Sequence, residues 1–123
     1  MHKILIVEDQ PDIRTLVRVT LEFEDFEIHE AGDGVSGLKL AEAIRPDLVL
    51  LDVMMQGELD GYQVCSRIKA NGALHQTKVV LLTARGQASD REMGRKAGCD
   101  QYMLKPFSPL ELIETIDQLL APA

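Results

Sequence analysis

The chain is 123 residues long, with 46% hydrophobic and 27% charged residues, which suits one compact domain with a hydrophobic core. Its formal net charge of −7 argues against direct contact with nucleic acid and against binding to an anionic membrane. The opening residues MHKILIVED reach acidic side chains too early for a secretory signal, and no apolar run is long enough to span a membrane. We therefore expect a cytoplasmic protein that forms a single domain over residues 1–123.

The first half of the chain alternates between short aliphatic runs and amphipathic segments. KILIVE is the kind of β-branched run that forms a strand buried on both faces, and Pro11 suits the first turn of the helix that follows. Asp33 and Gly34 break the chain and are expected to form the turn and cap into the second helix. The predicted elements are strand Lys3–Glu8, a helix over DIRTLVRVTLEF, edge strand Phe26–Ala31, helix Val35–Ile44 and strand Asp47–Asp52.

The second half repeats the alternation. The predicted elements are helix Gly61–Ala70, strand Lys78–Thr83, polar helix Ala88–Ala97 with Gly98 as its C-cap, strand Asp100–Leu104 and amphipathic helix Pro109–Leu120. Such alternation predicts an α/β fold, in which a doubly wound parallel sheet carries helices on both faces. Binding sites in these sheets form outside the carboxyl ends of the strands.

Polar side chains stand at those strand ends. Glu8 and Asp9 close the first strand, Asp52 the third and Thr83 the fourth, and Lys105 follows the fifth. Crowded carboxylates repel one another unless a cation neutralises them, and an all-oxygen acidic site favours Mg²⁺. With a hydroxyl and an ammonium group beside them, the arrangement predicts a pocket in which an aspartate accepts a phosphoryl group.

Each residue also has an ordinary explanation when it is taken alone. Glu8 and Asp9 could be solvated acids, Asp52 could cap the turn after its strand, Thr83 could cap a helix and Lys105 could be exposed. The ordinary explanations weaken together, because the residues recur at the same ends of separate strands.

The motifs ILIVED, PDLVLLDVMM, VVLLTA and YMLKPF resemble the receiver domain of two-component response regulators over residues 3–120. The resemblance implies a CheY-like, flavodoxin-like (βα)5 sandwich with strand order 2-1-3-4-5. It implies that Asp52 is the phospho-acceptor and that Asp9, Asp52 and the backbone carbonyl of Met54 bind Mg²⁺, with Glu8 assisting through water.

The resemblance also implies a switch. Thr83 and Lys105 would hold the phosphoryl oxygens, and Tyr102 falls at the family's aromatic switch position, although it could simply be a half-buried strand residue. Lys105-Pro106 resembles the family's cis peptide. Arg85 would lie near the site, where it could modulate phosphoryl lifetime, although an exposed loop position is the simpler interpretation.

The implied partners are a histidine kinase or histidine phosphotransfer protein as donor, and a downstream protein or output domain as target. The target would be controlled through the fourth helix, fifth strand and fifth helix, and a phosphorylation-dependent homodimer is compatible with this. Such a protein is a signalling phospho-acceptor and not an enzyme beyond its own phosphorylation and slow autodephosphorylation.

The chain departs from the family pattern after the acceptor. The fourth position after Asp52 is usually proline and here is Gln56, and Gly57–Gly61 carries one residue more than the commonest spacing. We therefore expect a longer loop at this place, with metal ligation unaffected because both changes follow Met54.

Two other function classes were weighed against the receiver. A pseudo-receiver scaffold predicts that site residues are missing, yet all of them are present. An aspartate-nucleophile phosphatase usually needs a second carboxylate two residues after the nucleophile, where this chain has Met54. Cys65 and Cys99 are expected to be free thiols, and the histidines show no ligand spacing.

Overall fold

The computed structural model describes residues 1–84 and 88–121. Strands and helices alternate along the chain as the hydrophobic pattern predicts. The elements are β1 His2–Val7, α1 Pro11–Glu22, β2 Phe26–Ala31, α2 Gly34–Ile44, β3 Leu48–Asp52, α3 Gly61–Ala70, β4 Lys78–Thr83, α4 Ala88–Ala97, β5 Gln101–Leu104 and α5 Pro109–Leu120. A one-turn 3-10 helix over Gly72–Leu74 was not predicted, because three residues carry no hydrophobic period.

The five strands form one parallel sheet in the order β2-β1-β3-β4-β5, so the predicted fold class and strand order are confirmed. The register aligns the strand ends. Val7 pairs with Ala31 on one side and Leu51 on the other, while Asp52 pairs with Leu82 and Thr83 with Leu104. The residues that follow these positions therefore emerge at one edge of the sheet.

Side chains that alternate along the strands form two hydrophobic layers. On one face, Leu5, Val49 and Leu81 pack with residues of α2, α3 and α4. On the other face, Ile4, Leu50 and Val80 pack with residues of α1 and α5. Every residue of β3 is buried, so the central strand carries Asp52 to the sheet edge through an entirely apolar layer.

The predicted boundaries hold to within about two residues, the usual uncertainty of helix and strand ends. Asp33 is the N-cap of α2 and accepts a hydrogen bond from Ser36 N at 2.7 Å, as predicted. Gly98 follows α4 with a φ of 88°, a left-handed conformation that suits glycine. Helix α1 is present where it was predicted. Within it only Val17 and Leu21 are buried, while Leu16 is 63% exposed.

Helix α3 begins directly against the acceptor strand. Asp60 caps it through a reciprocal capping box with Gln63. A Cβ added to Gly61 would lie 2.4 Å from the backbone oxygen of Asp52, so only glycine fits here without displacement. The first turn of α3 and the end of β3 are therefore fixed relative to each other.

Candidate functional site

Three carboxylates meet at the carboxyl edge of the sheet. Glu8 and Asp9 follow β1, and Asp52 is the last residue of β3. One oxygen from each lies within 4.8 Å of the others, and Glu8 and Asp52 are only 2% and 3% exposed. Buried carboxylates this close need a compensating cation.

Lys105 provides part of that compensation. Its Nζ donates to Glu8 Oε1 and to Asp52 Oδ1, both at 2.9 Å. Burial alone would lower the pKa of Lys105, but the hydrogen bonds and charges of Asp52 and Glu8 outweigh it and raise that pKa above its usual value. The ammonium is therefore charged at neutral pH. It joins the fifth strand to the first and third.

Glu8 is the carboxylate that bears the cost of burial. Desolvation raises its pKa above the ordinary value, and the negative charge of Asp52 adds to the rise, while the hydrogen bond from Lys105 acts in the opposite direction. The Glu8 backbone is also held, because Arg14 Nη1 donates to its carbonyl oxygen at 2.9 Å.

Asp9 has capacity to bind a further cation. Among the described residues, its Oδ1 is buried without a hydrogen-bond partner, while its Oδ2 accepts a long hydrogen bond from Gln56 N at 3.4 Å. A buried, unpartnered carboxylate oxygen beside two other carboxylates, with no nitrogen or sulfur ligand in the group, fits a hard divalent cation such as Mg²⁺. The residues present therefore fit the predicted metal.

The other predicted residues lie on β4, on β5 and in the loops that follow β3 and β5. Thr83 is fully buried at the end of β4, and its carbonyl accepts from Lys105 N at 2.7 Å. Met54 follows Asp52 by two residues, with a side chain that is 53% exposed. Tyr102 is half-buried on β5, and its ring lies 5.5 Å from Arg91 Cζ. The Lys105-Pro106 peptide is cis, as the resemblance implied. Arg85 lies outside the described residues.

The family model described as the response regulator receiver domain matches residues 4–117. This chain belongs to the response regulator receiver family. The receiver is 38% identical over 120 residues to the DNA-binding dual master transcriptional regulator RpaA of Synechocystis sp., and 40% identical over 119 residues to the transcriptional regulatory protein SrrA of Staphylococcus aureus.

Those matches cover 98% and 97% of this receiver but 49% and 48% of the two relatives, so the chain spans about half the length of the curated relatives it matches. A transcriptional role belongs to those proteins. The expectation that this chain makes no contact with nucleic acid stays a prediction.

Solved structures agree on the fold. A response regulator of Chloroflexus aurantiacus superposes with a TM-score of 0.92 at 30% identity, covering 98% of both chains. The receiver domain of the sensor histidine kinase PA1611 of Pseudomonas aeruginosa superposes with a TM-score of 0.90 at 30% identity, also covering 98% of both chains. That structure has a magnesium ion coordinated in its active site cleft.

The loop after the acceptor shows where this receiver departs from the family pattern. Gln56 stands where the family usually has proline, and its backbone N–H is the group that reaches Asp9. Proline has no such donor. Gly57 has a φ of 111° with open space around it, and Leu59 is buried. Whether the loop is one residue longer than the family's stays a prediction.

Sequence reasoning missed Arg14, because its contact is with a backbone carbonyl that no side-chain motif records. It also missed the half-buried pair of Lys69 Nζ and Asp100 Oδ2 at 2.6 Å, which joins α3 to the start of β5.

Cys65 and Cys99 are free, as predicted, and burial raises the pKa of the Cys65 thiol to about 12. Within residues 1–84 and 88–121, no helix is both long and apolar enough to span a membrane.

Proposed function

We propose that this receiver accepts a phosphoryl group on Asp52 from a phosphohistidine donor, in a reaction that depends on Mg²⁺. The observation that carries the proposal is the cluster of Glu8, Asp9 and Asp52 around Lys105, with a buried oxygen of Asp9 left unpartnered. This cluster supplies a nucleophile, a positive charge and carboxylate ligands for a divalent cation in one place.

In the proposed transfer, a carboxylate oxygen of Asp52 attacks the phosphorus of phosphohistidine. The new O–P bond forms as the N–P bond breaks, and the leaving imidazole keeps the electron pair. Lys105 and the hydroxyl of Thr83 would hold oxygens of the arriving group. Asp9, Asp52 and the Met54 carbonyl would hold Mg²⁺, with help from Glu8. When bound, Mg²⁺ supplies charge neutralisation for the phosphoryl oxygens.

The aspartyl phosphate would act as a switch. A phosphoryl group adds charge of about −1.5 to −2 and three acceptor oxygens. Lys105 Nζ bridges Glu8 and Asp52 without the phosphoryl group, so its move toward the new oxygens would change contacts at the end of β5. Together with Thr83 and Tyr102, that change biases the surface formed by α4, β5 and α5.

The proposed partners are a histidine kinase or a histidine phosphotransfer protein upstream, and a partner protein or output domain downstream, in the cytoplasm. The receiver is then a phospho-acceptor that acts on itself and not an enzyme that turns over a substrate. The exposed side chain of Met54, where a phosphatase acid or base would stand, supports this choice over a small-molecule phosphatase.

The proposal is tested with phosphoramidate, a small donor whose P–N bond is similar to that of phosphohistidine. In Mg²⁺, intact-mass spectrometry should show one added phosphoryl group on the wild-type chain and none on Asp52→Asn. Asp117→Asn, an exposed α5 variant with the same change of charge, should label like wild type. Undiminished labelling of Asp52→Asn would refute the assignment, and multiple turnover of a phosphate ester such as p-nitrophenyl phosphate would favour a phosphatase.

A further inference from the structure

Arg14 lies in the first half of α1 and reaches back over the turn between β1 and α1. Its Nη1 donates to the carbonyl oxygen of Glu8 at 2.9 Å, and its Nε lies 3.4 Å from Glu30 Oε1 on β2. The side chain is 26% exposed. The guanidinium therefore joins helix α1, edge strand β2 and the acidic turn.

The position of the Glu8 carbonyl determines how the backbone of Glu8 and Asp9 is oriented. Strand β1 ends at Val7, so Glu8 and Asp9 lie just past the regular strand pairing. The peptide unit between them is planar and contains both the Glu8 oxygen and the Asp9 nitrogen. A donor that fixes this oxygen therefore orients the backbone that carries both carboxylates.

The surroundings keep the guanidinium in that position. Glu30 also pairs with Arg18 Nε at 3.1 Å, so two arginines from successive turns of α1 share one carboxylate. Glycine at position 32 leaves the space that Arg14 occupies, because a Cβ there would lie 3.2 Å from Arg14 Nη1. Arg18 provides a comparison, since it forms ion pairs with Glu22 and Glu30 and not with the acidic turn.

We propose that Arg14 is a positioning residue for the divalent-cation site, because its hydrogen bond to the Glu8 carbonyl orients the Glu8–Asp9 turn toward Asp52. The inference rests on the proposed binding of Mg²⁺ at this cluster. The proposal also predicts that loss of Arg14 weakens Mg²⁺ binding, whereas electrostatics alone would predict stronger binding. Removing a nearby positive charge should strengthen cation binding, whereas removing a positioning contact should weaken it.

The experiment is a titration of the whole chain with Mg²⁺, followed by isothermal calorimetry and by amide chemical shifts of Asp9 and Val53. Arg14→Met should raise the Kd for Mg²⁺ roughly tenfold, the lower end of what loss of a residue supporting a metal ligand causes. Arg18→Met removes the same charge from the same ion-pair network without a contact to the acidic turn, so it should not raise the Kd. Thermal unfolding without metal measures how much each variant destabilises the fold. Both variants lose an ion pair with Glu30, so a similar loss of stability is expected in the two.

A second variant keeps the positive charge. Gly32→Ala places a methyl group 3.2 Å from Arg14 Nη1, so the guanidinium must shift slightly and Mg²⁺ binding should weaken by less than in Arg14→Met. Gly72→Ala, whose Cβ meets nothing within 4 Å, should leave binding unchanged. An Arg14→Met Kd that equals wild type, falls below it, or changes no more than that of Arg18→Met would overturn the role of Arg14. Failure of the wild-type chain to bind Mg²⁺ would instead overturn the metal site itself.

Discussion

At the scale of single residues, the burial of Glu8 determines how the metal-free site responds to pH. Burial raises the pKa of Glu8 from its ordinary 4.5. The folded chain therefore binds this proton more tightly than the unfolded chain does. Stability from the protonated carboxyl is fully present below about pH 4.5. It is lost as the pH rises through the raised pKa of Glu8.

Glu8→Gln should consequently stabilise the metal-free protein at neutral pH. Glutamine still offers an oxygen to Lys105 but carries no charge, and Asp52 keeps the ammonium paired. We expect the free energy of unfolding at pH 7 in EDTA to rise by about 1 kcal/mol, as when other buried ionic groups are replaced. The gain should disappear at acid pH, where Glu8 is neutral in both states.

Urea unfolding followed by circular dichroism at a series of pH values measures this difference. Glu114→Gln, an exposed change on α5, serves as the matched control and should show no such pH dependence. A gain that is independent of pH, or a loss at pH 7, would contradict the assignment of Glu8 as the carboxylate whose charge is destabilised by burial.

At the scale of elements, the start of α3 packs directly against the end of β3, close to the site. Gly61 N donates to Val53 O at 3.1 Å, and its missing side chain leaves room for the Asp52 carbonyl. Any displacement of α3 along this contact therefore moves the backbone that carries the acceptor.

Gly61→Ala should both destabilise the fold and impair the acceptor. The added Cβ would lie 2.7 Å from Val53 Cα, a backbone contact that cannot relax by a rotamer change. Overpacking of this kind costs about 1–3 kcal/mol in unfolding free energy. Phosphoramidate labelling of Asp52, measured below the unfolding transition, should also slow relative to wild type. Gly72→Ala, whose Cβ would lie in open space, should change neither the unfolding free energy nor the labelling rate. Wild-type stability in Gly61→Ala would show that the contact between α3 and β3 can relax to accept a side chain.

Much at this scale follows from the sequence. Period-two and period-3.6 patterns locate the strands and helices, and the convergence of parallel strand ends then brings Glu8, Asp52 and Thr83 together. The hydrophobic pattern does not show which atoms each polar side chain contacts. Lys105 was expected to hold phosphoryl oxygens, and its simultaneous contact with Glu8 and Asp52 depends on the packing of three strands. The Arg14 contact with a carbonyl has no side-chain signature at all.

At the scale of the whole molecule, the sheet separates two hydrophobic layers and leaves the acidic cluster at its edge, between α1, α3 and the end of β5. The chain carries a net charge of −7, and three of its carboxylates are concentrated here. Mutual repulsion at this edge opposes folding, so a cation that binds only the folded state stabilises the entire domain.

Magnesium should therefore raise the unfolding free energy of the wild-type chain in a concentration-dependent way, by about 2.7 kcal/mol at a hundred times its Kd. Because Mg²⁺ also screens the net charge, the comparison needs NaCl at matched ionic strength. Asp9→Asn should remove most of the response, since its carboxylate carries the buried, unpartnered oxygen of the cluster, whereas Asp25→Asn, exposed beside β2, should keep it. Urea unfolding across the Mg²⁺ series measures all three chains. An equal rise in unfolding free energy in Asp9→Asn and wild type would show that the stabilising cation binds elsewhere. A wild-type rise no larger than that in NaCl would show that Mg²⁺ does not bind at this cluster.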